Sequence, residues 1–267
     1  MALVPFPGPQ SGALARALVP DEEESPGGQM SFLEHLDELR KRIVNALIAV
    51  GVGVVLGFFL IDRISDFLLG PTRRLLPPGS KMIYTQPGEA FSSDVQIALI
   101  AGVIFAAPVI MYQVWMFIAP GLYANEKKFA IPFALFSTVF FIAGAAFAHY
   151  ALFPWTWAFF GSFSNENLVF MPSIQPVFSM YTKMLLAMGL VFEMPTVVFF
   201  LARIGLVTAK LMLSMFKYAI LVIFIAAAVL TPGQDIASQC LMAGPMVGLY
   251  IVSIGIAWAF GKSRSSE

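Results

Sequence analysis

Six apolar runs, at residues 43–61, 97–119, 129–153, 177–202, 216–230 and 236–260, constrain the fold of this chain more than any other feature. Each is long enough, or nearly so, to cross a hydrocarbon layer about 30 Å thick as a helix rising about 1.5 Å per residue. Lipid offers no water to satisfy backbone N–H and C=O groups, so isolated spans have to be helical. The expected fold class is an all-α polytopic membrane protein with six transmembrane helices. The fifth run reaches only about 22 Å, and the bilayer is expected to thin around it. Composition agrees: of 267 residues 58% are hydrophobic and 12% charged, against about a quarter charged in soluble domains.

An even number of spans puts both termini on one side. Eleven basic residues fall there, in the N-terminal segment (Arg16, Arg40, Lys41, Arg42), the second and fourth loops (Lys127, Lys128, Arg203, Lys210, Lys217) and the tail (Lys262, Arg264). The other side holds five, Arg63, Arg73, Arg74, Lys81 and Lys183. The positive-inside rule therefore predicts that both termini are cytoplasmic. Net charge is zero, which gives no reason to expect a nucleic-acid partner.

Three segments organise the chain. Residues 1–29 are rich in Pro and Gly, carry Asp21-Glu22-Glu23-Glu24 and show no hydrophobic period, so a disordered tail is expected. Residues 30–260 form the membrane domain, and 261–267 a short cytoplasmic tail. The first external loop, 62–96, contains Pro71, Pro77, Pro78 and Pro87; residues 64–69 read as a short surface helix ending before Pro71. With the third loop, 154–176, it is expected to form an ordered external cap. No internal repeat is evident.

Chemistry is sparse. Only the fourth run is charged inside, at Lys183 and Glu193. A carboxylate at the middle of a span costs about 2.5–3.5 kcal/mol on insertion scales, so Glu193 has to be protonated, paired or facing a cavity. That placement fits a functional group, and equally a neutral acid bonded to a neighbouring helix. Before the first span, Ser31-x-x-Glu34 is a capping box, and Phe32, Leu36, Leu39 and Ile43 share one helical face. This stretch reads as an interfacial helix in which Glu38 pairs with Arg42 for about 0.3–0.5 kcal/mol. The second cytoplasmic loop supplies another carboxylate, Glu126, among Trp115, Phe117 and Tyr123. Two carboxylates on one membrane face suit two guanidinium groups, which pair with carboxylate in a planar fork.

No catalytic motif and no metal-ligand spacing is present, so neither enzyme chemistry, metal nor cofactor is expected. The single cysteine, Cys240, reads as a packing residue. Gly53-x-x-x-Gly57 and Gly244-x-x-x-Gly248 suit close helix contacts. A proton-coupled secondary transporter using Glu193 is an alternative, disfavoured by the missing repeat and the few polar residues in the spans. A scaffold that only gathers partner helices is a third.

Several spaced stretches, taken together, resemble the TatC family, the multispanning receptor subunit of the twin-arginine protein translocase. They are FLEHLDELR at 32–40, TQPGEAF at 85–91, APVIMYQVW at 107–115, FIAPGLY at 117–123 with Glu126, Phe192-Glu193-Met194-Pro195, and Thr231-Pro232 with Asp235 and Gln239. The resemblance implies a glove-like concave fold in the bacterial inner membrane. It also implies capture of twin-arginine signal peptides of folded precursors, recruitment of TatA- and TatB-type single-span partners, homo-oligomers within the complex, and export driven by the proton-motive force. By the same resemblance Glu38 and Glu126 receive the arginines, with Arg40, Phe117, Leu122 and Tyr123 supporting that surface. Pro71, Phe91 and Asp235 fall at external-loop positions, Glu193 is the intramembrane polar residue, and Thr231 and Gln239 fall in a partner-contact region. The chain departs from the family pattern at Lys127-Lys128, where arginines are commoner, and at His149, Gln96 and Ile251.

Overall fold

The computed structural model describes residues 32–75, 82–118, 130–165, 170–231 and 236–261. Its helices are α1 (Phe32–Phe59), α2 (Ile61–Leu75), α3 (Glu89–Ile118), α4 (Ala130–Phe147), α5 (Phe153–Gly161), α6 (Ile174–Val191), α7 (Met194–Arg203), α8 (Ala209–Ser214), α9 (Phe216–Leu230) and α10 (Ile236–Phe260). Five helical stretches are long and apolar enough to cross a membrane, and α9 is the shorter sixth. The six expected runs are helical over most of their described residues, and their positions follow directly from hydropathy. From Glu38 onward the chain forms one compact unit.

Several boundaries differ from expectation, among them the start of α3 at Glu89 instead of 97, and two of the differences lie at prolines. The third run continues as helix past 153 to Gly161, so the expected loop 154–176 is helical in its first third. A π-helical turn, Ala148–Leu152, joins α4 to α5, and the Phe153 N–H donates to the Ala148 carbonyl one residue further back than in an α-helix. Pro154 has no N–H to donate, and the inserted residue absorbs that loss without ending the helix. In the same way α2 does not stop before Pro71 but continues to Leu75. Leu68 and Leu69 on its inner face are buried in the core, and packing outweighs the one hydrogen bond that proline removes.

Glycine sets how closely the spans approach. A Cβ on Gly53 would lie 2.6 Å from the Gly102 carbonyl oxygen, so α1 and α3 touch backbone to backbone there. Gly144 and Gly189 play the same part between α4 and α6, where a Cβ on Gly189 would sit 2.7 Å from the Phe141 ring. Lipid is as apolar as leucine, so close van der Waals contact rather than water exclusion holds such helices together. Gly244 and Gly248, by contrast, meet nothing within 4 Å. The main core gathers Ile97, Phe153, Phe178, Met184, Met188 and Met242. Much of α1, including Leu47, Ile48 and Val52, stays exposed, as a lipid-facing helix should.

The two long loops meet as expected. Ile83 and Ser173 form an isolated parallel bridge, with the Ile174 N–H donating to the Ile83 carbonyl at 2.9 Å. The buried Glu89 carboxylate holds this junction. It accepts from the Thr85 N–H at 3.2 Å, the Thr85 hydroxyl at 2.8 Å and the Ser173 hydroxyl at 2.8 Å. A second tie is His149, whose ring stacks on Phe67 of α2 at 4.4 Å and whose Nδ1 lies 2.6 Å from the Tyr181 hydroxyl of α6.

Candidate functional site

Glu38 lies in the second turn of α1, on the face it shares one turn later with Arg42. Arg42 Nη2 donates to Glu38 Oε1 at 3.0 Å, the expected i,i+4 pair. Helical periodicity does not predict the third member. Arg42 Nη1 donates at 3.1 Å to Gln113 Oε1, which comes from the last part of α3. The guanidinium therefore bridges two spans. Both side chains of the ion pair are mostly enclosed, Arg42 at 23% and Glu38 at 15% exposure. The other carboxylate oxygen, Glu38 Oε2, is buried and has no partner among the described residues. A carboxylate with one oxygen held and one open is a receptor for a further hydrogen-bond donor, most strongly a charged one.

Among the other residues expected on this surface, Arg40 is exposed and Phe117 is half-buried near the end of α3. Leu122, Tyr123 and Glu126 lie outside the described residues, as does Asp235. Trp115, one helical turn from Met111 and two residues beyond Gln113, is buried. It stacks on Phe133 at 4.8 Å and meets Phe200 edge-on at 5.2 Å, which ties α3, α4 and α7 together close to the Glu38 end of α3.

Glu193 sits at the break between α6 and α7. Pro195 lacks the N–H that would continue the helix, and the chain turns through Phe192 and Glu193 before α7 begins. The carboxyl group is enclosed at 7% exposure and faces the Ser137 hydroxyl of α4. Ser137 Oγ in turn accepts from Trp115 Nε1 at 2.7 Å. Polar groups from three spans thus meet at this buried point. Glu193 Oε1 and the nearby Thr196 hydroxyl, also buried, have no partner among the described residues. Thr196 borders an aromatic cavity of about 290 Å³ lined also by Phe133, Phe136, Phe140 and Phe199. Ser137, which adjoins Thr138 in an apolar run, carries no sequence signal of its own, and Gln113 is marked only by lying within the stretch APVIMYQVW at 107–115.

The remaining expected positions are dispersed. Pro71 is in α2, and Phe91 projects, 72% exposed, from the first turn of α3. Thr231 is buried at the end of α9 and donates to the Ala227 carbonyl at 2.9 Å. Gln239 Nε2 donates to the Phe224 carbonyl at 2.8 Å and so joins α10 to α9. No group of three or more potential metal-ligating side chains occurs among the described residues.

A family model described as Sec-independent protein translocase protein (TatC) matches residues 34–245, most of the chain and both carboxylate sites. The chain belongs to the TatC family. A relative from Desulforapulum autotrophicum, named Sec-independent protein translocase protein TatC, is 43% identical over 247 residues, covering 92% of this chain and 89% of its own. Another of that name, from Koribacter versatilis, is 39% identical over 234 residues, with 86% and 85% covered. The fold matches a crystal structure of the twin arginine translocase receptor TatC with a TM-score of 0.77 and 34% identity. That match covers 84% of this chain and 97% of the solved one. Family and spans together make this a multi-pass membrane protein of Sec-independent protein translocation.

Proposed function

We propose that this protein is the signal-peptide receptor of a twin-arginine translocase in a bacterial cytoplasmic membrane, with both termini on the cytoplasmic side. The observation that carries the reading is Glu38, a mostly enclosed carboxylate with one oxygen unpartnered, at the membrane-boundary end of a family-typical first span. Glu38 and Glu126 receive the two arginines of the signal peptide, with Arg40, Phe117, Leu122 and Tyr123 shaping the surface around them. The excess of basic residues on the same side supports the orientation. Single-span TatA- and TatB-type partners then assemble on the spans, around Thr231 and Gln239, with further copies of the chain in the same complex, and the proton-motive force drives passage of the folded cargo.

Crosslinking of a twin-arginine precursor to the full chain in membrane vesicles tests this. Glu38→Ala and Glu126→Gln are each expected to weaken capture by the value of one charge-assisted contact, about 1.5–3 kcal/mol. A twin-lysine precursor is expected to bind less well than the twin-arginine form, since lysine makes no fork. Equal crosslinking of both precursors to the native chain and both variants overturns the reading.

A further inference from the structure

An arginine beside a carboxylate ordinarily closes its fork on both oxygens. Arg42 does not. Only Nη2 reaches Glu38, at Oε1, because Nη1 is engaged 3.1 Å away by Gln113 Oε1 from α3. The guanidinium has only donors, so Gln113 presents its carbonyl oxygen and not its amide nitrogen. The consequence falls on Glu38 Oε2, which is left buried without a partner among the described residues. Leaving a charged oxygen unpaired in a mostly enclosed site is unfavourable, and a half-turn of Arg42 toward Glu38 would relieve it. Gln113 stands in the way of that relief.

We infer that Gln113 is a positioning residue for signal recognition: it holds Arg42 in a one-contact pair, which keeps Glu38 Oε2 open for the arginine of an incoming peptide. This rests on the receptor reading of Glu38 given above. Without Gln113, Arg42 closes on both carboxylate oxygens and becomes an internal competitor for the site. The incoming group must then displace a guanidinium instead of pairing with an unpartnered oxygen. Lysine at 42 restores the opening, since a single ammonium holds one oxygen without forming a fork.

The test is equilibrium binding of a fluorescent synthetic twin-arginine signal peptide to the detergent-solubilised full chain. Gln113→Met keeps the side chain's volume and removes its acceptor. Its Kd is expected to rise about tenfold to a hundredfold, the range of one hydrogen bond to a charged group. Arg42→Lys in the Gln113→Met background is expected to bring Kd back to within about twofold of the native value, a rescue that a merely structural role for Gln113 would not produce. Arg42→Lys alone is expected to bind at least as tightly as the native chain, which keeps the inference testable even if Gln113→Met does not fold. Unchanged binding by Gln113→Met, no rescue in the double variant, or a loss in Arg42→Lys as large as that in Glu38→Ala overturns the inference while the receptor reading stands. Unchanged binding by Glu38→Ala overturns both.

Discussion

At the scale of single residues, the buried carboxylates of this protein differ in how completely they are satisfied. Glu89 accepts three hydrogen bonds and holds two distant loops together. Glu89→Ala is expected to lower the melting temperature in detergent and to open the 82–88 and 170–173 segments to protease, with the spans still inserted. A variant that resists protease as the native chain does would remove Glu89 from that role. Glu193 is only partly satisfied, facing Ser137 with one oxygen and leaving the other without a partner. Glutamine retains an acceptor for Ser137, so Glu193→Gln is expected to keep much of the export activity. Glu193→Leu removes the end of the Trp115–Ser137–Glu193 chain, costs up to about 1–2 kcal/mol in the membrane and is expected to assemble but export poorly. If Gln fails as badly as Leu in an export assay, ionisation of Glu193 is required instead of a neutral hydrogen bond.

At the scale of elements, the spans are set by hydropathy and trimmed by packing. The α1–α3 crossing depends on two facing glycines with no room for a methyl group: a Cβ on Gly102 would lie 2.8 Å from the Val54 backbone nitrogen. Gly102→Ala must push two backbones apart and is expected to cost about 1–3 kcal/mol, read as a lower melting temperature. Gly51→Ala, on the same helix as Gly53 but with nothing within 4 Å, serves as the control and is expected to be neutral or stabilising by up to about 1 kcal/mol. Equal effects of the two substitutions would show that close interhelical approach at Gly102 does not govern this crossing. The prolines teach a related point. Pro154 and Pro71 read as helix stops, yet both lie within continuing helical stretches, one relieved by a π-helical turn and the other outweighed by burial of Leu68 and Leu69. Pro195 does interrupt its span, and the turn it creates carries Glu193.

At the scale of the whole molecule, the compact unit begins at Glu38, within the first helix and after the Pro/Gly-rich segment. Residues 1–29 carry no core-forming pattern, so a chain starting at Met30 is expected to insert and to export a twin-arginine reporter at near-native rates. Loss of export by such a chain, stably inserted, would assign a function to the tail.

Hydropathy alone determined the six helical spans, because a backbone in lipid has one local solution per segment and apolar length reports it directly. The i,i+4 pair of Glu38 with Arg42 was equally legible, since helical periodicity places them one turn apart. The charge at Glu193 was visible as an anomaly, and spaced motifs pointed to the family. Local pattern carries no information about which polar groups on different spans meet. Gln113 reaches across 71 residues to Arg42, Ser137 joins Trp115 to Glu193, and Ser173 completes the set of donors around Glu89. The partner of each of these residues depends on the rotation and crossing of whole helices. Those are fixed by close contacts such as Gly53 against Gly102, so only the tertiary structure decided them.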